Sequence, residues 1–540
     1  MPMMDVQLNG WLLFSHAEPH HAGVEIVSRF PTGEIHRYTY RDMARRAQQL
    51  MHALDSLGIE RGARVATLAW NHHRHLECYF GIPLSNRVLH TLNVRLAPSE
   101  LAFIIRDAED TVILADPDQM QLLRQVDAEG GLAGVRHIVV LADELPKGAP
   151  AGAIAYEPWI AAQNEVYAPI DIDERSPFGM CYTSGTTGRS KGVVYTHRSV
   201  FLHSMAVCTA AGMNVGPADA AMPVVPMFHA MAWGLPHAAV ATGAKLVFCA
   251  GPLDNEALAD LLENERVTVT AGVPTVWLGL ADELDRRGRA PSALQRIAVG
   301  GAQPPRPLIE RYLHSYGIPI LQAWGMTETS PLASIALPRH GWHDLPEEEV
   351  TARARCQAGL PMFGLDIAVR DADGNEVAAD GETMGDLYVR GPWVAASYWR
   401  GVGPEQFDGG WFRTGDVAIK SPDGYFVIAD RTKDLIKSGG EWISSVDMEG
   451  HIMAMPQVAE AAVVAIPDNK WQERPLACIV LKPGETLTLE QVRAHLEGRG
   501  WARWQLPDRI EVIDEVPRTS VGKFDKKVLR ARFAPQPAAT

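Results

Sequence analysis

The chain has 540 residues, too many for a single hydrophobic core, and its 46% hydrophobic and 21% charged residues are typical of a soluble globular protein with two or more domains. The formal net charge of −15 argues against nucleic acid as the main partner, because phosphate backbones bind basic protein faces. The six cysteines are scattered without a CxxC pair, which argues against a disulfide or zinc framework and indicates a reducing compartment.

No targeting or membrane segment is predicted. Residues 1–21 contain no Lys or Arg and lack the form of a signal peptide. The most apolar stretch, residues 221–244, is interrupted by Pro223, Pro226 and Pro236 and has no continuous apolar core. We therefore expect a cytoplasmic protein without a transmembrane segment.

Short β-branched runs alternate with helical patterns on both sides of residues 182–192. Before them, the pattern predicts strands at Val65–Trp70, Val88–Leu96, Thr111–Ala115 and His137–Ala142, and helices at His73–Asn86, Ser99–Glu109 and Asp118–Ala128. After them, it predicts strands at Ala244–Ala250, Val267–Ala271, Ile297–Gly300 and Pro319–Ala323, and helices at Asn255–Glu263, Thr275–Arg286 and Arg306–Tyr316. Such alternation indicates an α/β fold in which two layers of parallel sheet stack, with helices on their faces.

The pattern changes twice near the C-terminus. Residues 366–398 have short strands and Asp-Gly turns, which predict a small antiparallel β unit. From about residue 430, a separate series of strands and one helix predicts a small α+β domain. We therefore expect an N-terminal domain over residues 1–429 and a smaller, mobile C-terminal domain over residues 430–540.

Residues 182–192 read Tyr-Thr-Ser-Gly-Thr-Thr-Gly-Arg-Ser-Lys-Gly, an order suited to holding phosphate oxygens. Glycines let backbone N–H groups approach an anion, hydroxyls add donors, and Lys191 supplies a positive charge. A Walker A loop would need Ser or Thr after the lysine, but Gly192 and a strand-like run follow Lys191. The predicted arrangement is therefore strand, glycine-rich loop, strand.

This stretch resembles the phosphate-binding signature of the adenylate-forming enzymes, which include acyl-CoA synthetases, firefly-type luciferases and peptide-synthetase adenylation domains. The family usually has Pro before the lysine, whereas this chain has Ser190, so we expect a somewhat looser loop. The resemblance implies that ATP is bound here by Thr183, Ser184, Gly185, Thr186, Thr187, Gly188 and Lys191.

A second motif follows the predicted strand Pro319–Ala323, at the kind of strand end where open α/β sheets bind ligands. Glu328 is suited to hold Mg²⁺ beside phosphates, and Trp324 offers a flat face for a purine ring. An exposed Glu and a core Trp would also fit these residues taken alone. Because the segment resembles the family's Tyr-Gly-Met-Thr-Glu motif, with Trp324 in place of Tyr, we assign nucleotide contacts to Gln322, Trp324, Gly325, Met326 and Thr327, and Mg²⁺ contacts to Glu328 and Thr183. Gly301 and Ala302 resemble the stretch that lies against adenine.

The predicted domain boundary carries two further family motifs. In Thr-Gly-Asp, Asp416 is the natural acceptor for ribose hydroxyls, although a Gly-Asp turn alone is usually only a turn. The resemblance makes Asp430 the hinge and brings Arg431 to the ribose. It also implies that the segment Lys437, Ser438, Gly439, Gly440, Glu441 and Trp442 lines the coenzyme A tunnel in a second step, although a Gly-Gly hairpin fits the local sequence equally well.

The last motifs concern the acid substrate. Lys523 matches the family's catalytic lysine, which offsets negative charge as a carboxylate approaches the α-phosphate. His229 matches the histidine of the acyl site, and Trp233 a tryptophan that gates the acyl tunnel, although Met, Phe and Trp in such a run are usually core residues. His237 matches no motif and is expected to be structural.

Together the motifs span residues 183–523 and resemble bacterial fatty-acyl-CoA synthetases most closely. The resemblance implies ATP and coenzyme A as co-substrates, Mg²⁺ as cofactor, a medium- or long-chain fatty acid as substrate, and a plausible homodimer. Alternatives are a ligase for a short acid such as 3-methylmercaptopropionate, or an adenylate-forming enzyme with a second step that does not use coenzyme A. A degenerate nucleotide-binding protein is disfavoured because Lys191, Glu328, Asp416, Arg431 and Lys523 are all present.

Overall fold

The computed structural model describes residues 3–183, 189–252, 254–438, 441–468, 470–519 and 522–533. Its first strands are β1 (Glu25–Arg29), β2 (Ile35–Thr39), β3 (Arg64–Leu68), β4 (Val88–Thr91), β5 (Asp110–Ala115), β6 (His137–Val140), β7 (Ile154–Ala155), β8 (Pro177–Thr183) and β9 (Lys191–Thr196). The middle strands are β10 (Ala220–Pro223), β11 (Lys245–Cys249), β12 (Val269–Gly272), β13 (Arg296–Val299), β14 (Ile320–Gly325), β15 (Leu332–Ile335) and β16 (Leu360–Pro361). The last are β17 (Asp366–Arg370), β18 (Met384–Arg390), β19 (Phe407–Asp408), β20 (Trp411–Lys420), β21 (Phe426–Arg431), β22 (Ile436–Ser438), β23 (Glu441–Ile443), β24 (Val458–Asp468), β25 (Gln472–Leu481) and β26 (Arg509–Val512).

The helices lie between and after these strands, except the first, which precedes β1. They are α1 (Gly10–His21), α2 (Tyr40–Ser56), α3 (His73–Leu84), α4 (Pro98–Ala108), α5 (Met120–Ala128), α6 (Tyr156–Ala161), α7 (His197–Cys208) and α8 (Leu235–Thr242). The remainder are α9 (Asn255–Asn264), α10 (Pro274–Arg287), α11 (Arg306–Tyr316), α12 (Glu347–Val350), α13 (Ser445–Met453), α14 (Leu489–Gly498) and α15 (Lys526–Phe533). Among the described residues, every helix is too short or too polar to cross a lipid bilayer.

Two sheets form the large N-terminal part, as the alternating pattern predicts. The first has the strand order β7-β6-β5-β3-β4-β8-β9 and is parallel except for the antiparallel pair β8–β9. The second has the order β16-β15-β14-β13-β12-β10-β11-β1-β2 and is parallel from β14 to β1, with antiparallel strands at both edges. The N-terminal hairpin β1–β2 therefore pairs with β11 and forms one edge of the second sheet. The local sequence did not predict this pairing.

Two smaller sheets follow. The antiparallel unit β17-β18-β20-β19, with β21 on β20, confirms the predicted small β unit and extends it to Arg431. The final sheet, β23-β22-β25-β24 with β26 on β25, has its own buried core of aliphatic residues supplied in part by α13 and α14. The fold class is thus α/β with a smaller α+β unit at the C-terminus, as predicted.

Element ends differ from prediction where the chain turns. The predicted strand Val88–Leu96 stops at Thr91, and the helix predicted to reach Asn86 stops at Leu84. Asn86 has a φ of +56°, which a right-handed helix cannot accommodate. These differences leave the order of elements unchanged.

Candidate active site

The candidate site lies at the carboxyl ends of β12, β13 and β14, where open α/β sheets bind ligands. Backbone approaches there are close enough to require glycine. A Cβ on Gly325 would lie 1.9 Å from the Pro331 carbonyl oxygen, and one on Gly300 would lie 3.0 Å from the Ala323 carbonyl oxygen. The second motif is therefore built into a tight strand-to-turn junction.

Strand β8 ends at Thr183 and β9 begins at Lys191, which confirms the two strands predicted on either side of the glycine-rich stretch. Thr183 and Lys191 are direct cross-strand partners at its two ends. The Lys191 ammonium donates to Gln406 Oε1 at 2.6 Å and lies 4.7 Å from the centre of the Tyr398 ring. Residues Ser184, Gly185, Thr186, Thr187 and Gly188 lie outside the described residues, and their phosphate contacts stay a prediction.

Glu328 lies in a short turn directly after β14 and is 4% exposed. The Tyr398 hydroxyl donates to its Oε1 at 2.6 Å, and burial raises the pKa of its carboxyl. One buried carboxylate together with the hydroxyl of Thr183 fits Mg²⁺, which binds proteins through one or two oxygens and takes its other ligands from phosphates and water. A three-ligand protein cage is not seen among the described His, Cys, Asp and Glu residues, and this cation does not need one.

Asp416 and Arg431 face each other across the antiparallel pair β20–β21. Arg431 Nε lies 2.6 Å from Asp416 Oδ1, and Asp416 is 2% exposed. The other carboxylate oxygen accepts a hydrogen bond from the Trp324 indole N–H at 2.9 Å. The two predicted ribose contacts and the predicted purine contact are therefore neighbours in the folded chain.

Lys523, from the smaller C-terminal part, enters this site. A Cβ on Gly301 would lie 3.3 Å from Lys523 Cε and 3.9 Å from Trp233 Cζ2. Burial lowers the pKa of Lys523 to about 8, Arg431 lowers it further, and Asp416 and Glu328 oppose the shift. Burial, with the charge of Lys523 adding to it, lowers the pKa of His229 to about 3, so this imidazole is neutral at physiological pH.

The segment after His229 has an uncommon backbone. Ala230, Met231, Ala232 and Trp233 all have positive φ, between +43° and +55°, so the chain makes a left-handed turn without glycine until Gly234. Each such residue costs about 1–2 kcal/mol relative to a right-handed conformation. The turn directs the Trp233 ring toward Gly300, where a Cβ would lie 3.3 Å from it. Strain of this kind persists only where surrounding structure holds it.

Asp430 lies at the predicted boundary and is 1% exposed. Its carboxylate accepts hydrogen bonds from the Ser445 N–H at 2.8 Å and from the Ser445 hydroxyl, at the start of α13. Burial raises the pKa of this carboxyl. The contact joins β21 to α13, the first helix of the C-terminal part. A hinge is predicted at this position.

The segment predicted to act in the second step contributes residues to the antiparallel strands β22 and β23. The Lys437 ammonium lies 5.4 Å from the centre of the Trp442 ring, and Trp442 is 44% exposed. Ser438 is buried and accepts a hydrogen bond from Arg474 at 2.9 Å. Glu441 is placed on β23, whereas Gly439 and Gly440 lie outside the described residues. Their coenzyme A role stays a prediction.

The remaining predicted residues surround the same strand ends. Gln322 is buried on β14, and its side-chain oxygen has no hydrogen-bond partner among the described residues. The Met326 N–H donates to the Pro331 carbonyl, and the Thr327 carbonyl accepts from the Tyr195 hydroxyl at 2.8 Å. Ala302 follows Gly301 and is exposed. His237, predicted to be structural, is buried and its ring stacks on Tyr79.

Sequence reasoning missed two residues whose contacts organise the site. Tyr398 touches both Lys191 and Glu328, and Gln406 accepts a hydrogen bond from Lys191. Gln406 is 215 positions from Lys191 and Tyr398 is 70 from Glu328, so no local spacing could have revealed them.

Comparison with known proteins agrees with this geometry. The chain matches the AMP-binding enzyme family over residues 14–399 and the AMP-binding enzyme C-terminal domain over residues 447–523. It is 46% identical over 538 residues to a long-chain-fatty-acid–CoA ligase of Thermus thermophilus, covering 98% of this chain and 96% of the relative. It is 40% identical over 526 residues to a 3-methylmercaptopropionyl-CoA ligase of Ruegeria lacuscaerulensis, covering 96% of both.

The chain is also similar to a third ligase and to a protein of known structure. The chain is 38% identical over 533 residues to a medium-chain-fatty-acid–CoA ligase of Ectopseudomonas oleovorans, covering 98% of this chain and 97% of the relative. A crystal structure of an anthranilate CoA ligase with anthranoyl-AMP shares the fold with a TM-score of 0.87, at 24% identity and 98% coverage of each chain. The chain is therefore a member of the AMP-binding enzyme family.

Proposed function

We propose that the protein is an ATP-dependent fatty-acid–CoA ligase for medium- or long-chain acids. The observation that carries this proposal is the approach of Lys523 to Gly301 and Trp233, at the strand ends where Glu328, Asp416 and Arg431 also converge. A buried cation with a lowered pKa in such a cluster is suited to catalysis. The domain division near residue 430 belongs to the same proposal, because it lets one part carry Lys523 to the other.

Each part of ATP is assigned to its own set of residues. Lys191 and the hydroxyls and backbone of residues 183–188 bind the β- and γ-phosphates. Asp416 accepts hydrogen bonds from the ribose hydroxyls, and Arg431 adds a donor beside it. Trp324 and the backbone at Gly301 and Ala302 lie against adenine, with Gln322, Gly325, Met326 and Thr327 completing the nucleotide pocket. Bound by Glu328 and Thr183, Mg²⁺ would neutralise the charge of the leaving pyrophosphate.

The first reaction overcomes the poor reactivity of a carboxylate toward thiols. A carboxylate oxygen attacks the α-phosphorus of ATP, the bond to the bridging oxygen breaks, and pyrophosphate leaves with its electron pair. Lys523, protonated below about pH 8, offsets the negative charges that converge in this step. Neutral His229 positions the acid by hydrogen bonding without adding a second positive charge. The product is an acyl-adenylate.

The second reaction transfers the acyl group to sulfur. The thiol of coenzyme A loses its proton and attacks the acyl carbonyl, and AMP leaves. We propose that the C-terminal domain turns about Asp430 between the steps, so that Lys523 withdraws and the segment Lys437–Trp442, including Gly439 and Gly440, faces the tunnel. This segment favours coenzyme A over the alternative of a second step without it.

Acid specificity is assigned to His229 and Trp233. The similarity to ligases named for long- and medium-chain fatty acids supports a fatty acid. The similarity to a ligase named for 3-methylmercaptopropionyl-CoA supports the short-acid alternative. A cytoplasmic location and a homodimer remain predictions, the former supported by six cysteines without a disulfide.

The test is a panel of carboxylic acids from propionate to palmitate, including 3-methylmercaptopropionate, each assayed with ATP, Mg²⁺ and coenzyme A. Pyrophosphate release and thioester formation are measured separately. We expect both products, at the highest kcat/KM with an acid of medium or long chain. Pyrophosphate release without thioester would reject coenzyme A as acceptor, and release of neither product with any acid would reject the proposal. A maximum at the short acid would favour the alternative.

A further inference from the structure

One face of helix α4 contacts the chain on both sides of the glycine-rich loop. Glu100, Phe103 and Asp107 are three and four positions apart, so their side chains leave the same side of the helix. On the N-terminal side of the loop, the Tyr182 hydroxyl donates to Asp107 Oδ2 at 2.6 Å. Tyr182 is the residue before Thr183, where the predicted phosphate contacts begin.

The C-terminal side of the loop is held by the same face. The Ser190 hydroxyl donates to the Glu100 carboxylate, and Ser190 is 8% exposed. The guanidinium carbon of Arg189 lies 4.9 Å from the centre of the Phe103 ring, within cation–π range. Two adjacent residues therefore contact two residues of α4 that are one turn apart.

Helix α4 is itself firmly held. Leu101 and Ile105, on the opposite side of the helix, are buried in the hydrophobic core. The Asp107 carbonyl accepts a hydrogen bond from the Trp399 indole N–H at 3.0 Å. Trp399 is adjacent to Tyr398, which contacts Lys191. The helix thus links the two ends of the loop to the residue that contacts both Lys191 and Glu328.

We propose that Glu100, Phe103 and Asp107 form a positioning platform, here called the α4 platform, which fixes both ends of the triphosphate-binding loop before ATP arrives. This inference rests on the proposed function in that the loop binds ATP. Tyr182 and Ser190 flank the predicted phosphate-binding residues, and fixing these two positions in advance reduces the ordering cost of binding. A proline at residue 190 would restrict the backbone through its fixed φ. Here the hydrogen bond from Ser190 to Glu100 restricts the same position through the side chain.

The experiment measures MgATP binding by titration calorimetry in the full-length protein. We expect Ser190→Ala, which removes the donor, and Glu100→Ala, which removes the acceptor, each to weaken binding about tenfold. The double variant should be no weaker than either single variant, because both substitutions remove the same contact. Ser204→Ala is the matched control, since it removes a buried hydroxyl that donates to the Val200 carbonyl in α7. Thermal unfolding verifies that each variant is folded.

A rescue variant separates positioning from general stability. Ser190→Pro is expected to keep MgATP affinity within about threefold of the parent, and Glu100→Ala is expected to have no added effect in that background. In steady-state assays, Ser190→Ala should raise KM for ATP about tenfold while kcat and KM for the acid change less than threefold.

The results that would reject the α4 platform differ from those that would reject the proposed function. Unchanged MgATP affinity in Ser190→Ala, or effects of the two substitutions that multiply in the double variant, would overturn the platform. If the parent protein binds MgATP but makes no thioester, the proposed function fails and the platform is still judged by affinity. If the parent protein does not bind MgATP, both are rejected.

Discussion

Lys523 Cε lies 3.3 Å from the position that a Cβ on Gly301 would occupy, although the two residues belong to different sheet layers and are more than 200 positions apart. Gly301 has a φ of +80°, and its Cβ would also lie 3.2 Å from Val273 Cγ1. The missing side chain at residue 301 is therefore what lets the lysine reach the strand ends. This is where the proposed first reaction needs the ammonium of Lys523.

This contact predicts that Gly301→Ala slows adenylation. The new methyl would push Lys523 and Val273 apart by a few tenths of an ångström, and misplacement of a catalytic group has a large effect on rate. We expect pyrophosphate exchange to fall at least tenfold, with a smaller effect on thioester formation from supplied acyl-adenylate. The two rates are measured on the same preparation.

Gly317→Ala is the matched control for backbone strain. Gly317 also has a positive φ, +69°, but a Cβ there meets no atom within 4 Å. It should lose about 1 kcal/mol of stability without a change in exchange rate. Equal losses of rate in Gly301→Ala and Gly317→Ala would show that the Lys523 contact is not the cause.

The left-handed turn after His229 predicts that a glycine substitution there costs less stability than one in a helix. Ala232 and Ala239 are both fully buried, but Ala232 has a φ of +50° and Ala239 lies within α8. Glycine relieves strain at the first position and adds flexibility at the second. Since both substitutions remove one buried methyl, Ala232→Gly should be about 2 kcal/mol less destabilising than Ala239→Gly in urea unfolding. Equal destabilisation would contradict a strained turn.

The order of elements was predictable from sequence because local patterns determine it. The helices at Asn255–Asn264 and Arg306–Tyr316 agree with prediction to within one residue, and the strand–loop–strand at β8–β9 follows from its apolar flanks and glycines. The addition of β1 to β11 was not predictable, because the pairing joins positions about 220 residues apart. Local patterns carry no information on such long-range register.

In the candidate site too, residue types were predictable from the sequence and long-range contacts were not. The motifs identify Glu328, Asp416 and Lys523 by residue type, but their convergence depends on packing between sheets. Ser190 illustrates the difference: sequence reasoning expected a looser loop there, whereas the side chain is buried and bonded to Glu100. The looser loop itself stays a prediction. The positive φ at residues 230–233 was also hidden, because none of those residues is glycine.

The lowered pKa of Lys523 predicts an alkaline limit for adenylation. Below its pKa of about 8 the amine is protonated and can offset negative charge, and above it the charge is lost. We therefore expect kcat/KM for pyrophosphate exchange to fall as pH rises through about 8, and Lys523→Arg, though slower, to lose this limit because guanidinium stays charged. His229, with a pKa of about 3, should add no acid limit between about pH 5 and 7. An alkaline limit that persists in Lys523→Arg would assign it to another group.

The hydrogen bond from Tyr398 predicts a change in Mg²⁺ requirement. The hydroxyl orients the Glu328 carboxylate and opposes the pKa increase that burial causes. Tyr398→Phe should raise the Mg²⁺ concentration for half-maximal exchange about threefold, and Glu328→Gln should lower the rate more than about thirtyfold. Tyr316→Phe is the control, since it removes a hydroxyl that contacts the Ala281 carbonyl and the Asp285 carboxylate, neither of which is assigned to the site. An unchanged Mg²⁺ dependence in both site variants would remove Glu328 from the metal site.

The most direct measurement compares the two half-reactions in Lys523→Ala. Labelled pyrophosphate exchange into ATP reports acyl-adenylate formation, and thioester formation from supplied acyl-adenylate and coenzyme A reports the second step. Because the ammonium of Lys523 acts only where the carboxylate meets the α-phosphate, we expect exchange to fall at least a hundredfold and thioester formation to stay within about threefold of the parent enzyme. Equal loss in both assays, or full exchange without Lys523, would contradict the role assigned to this lysine.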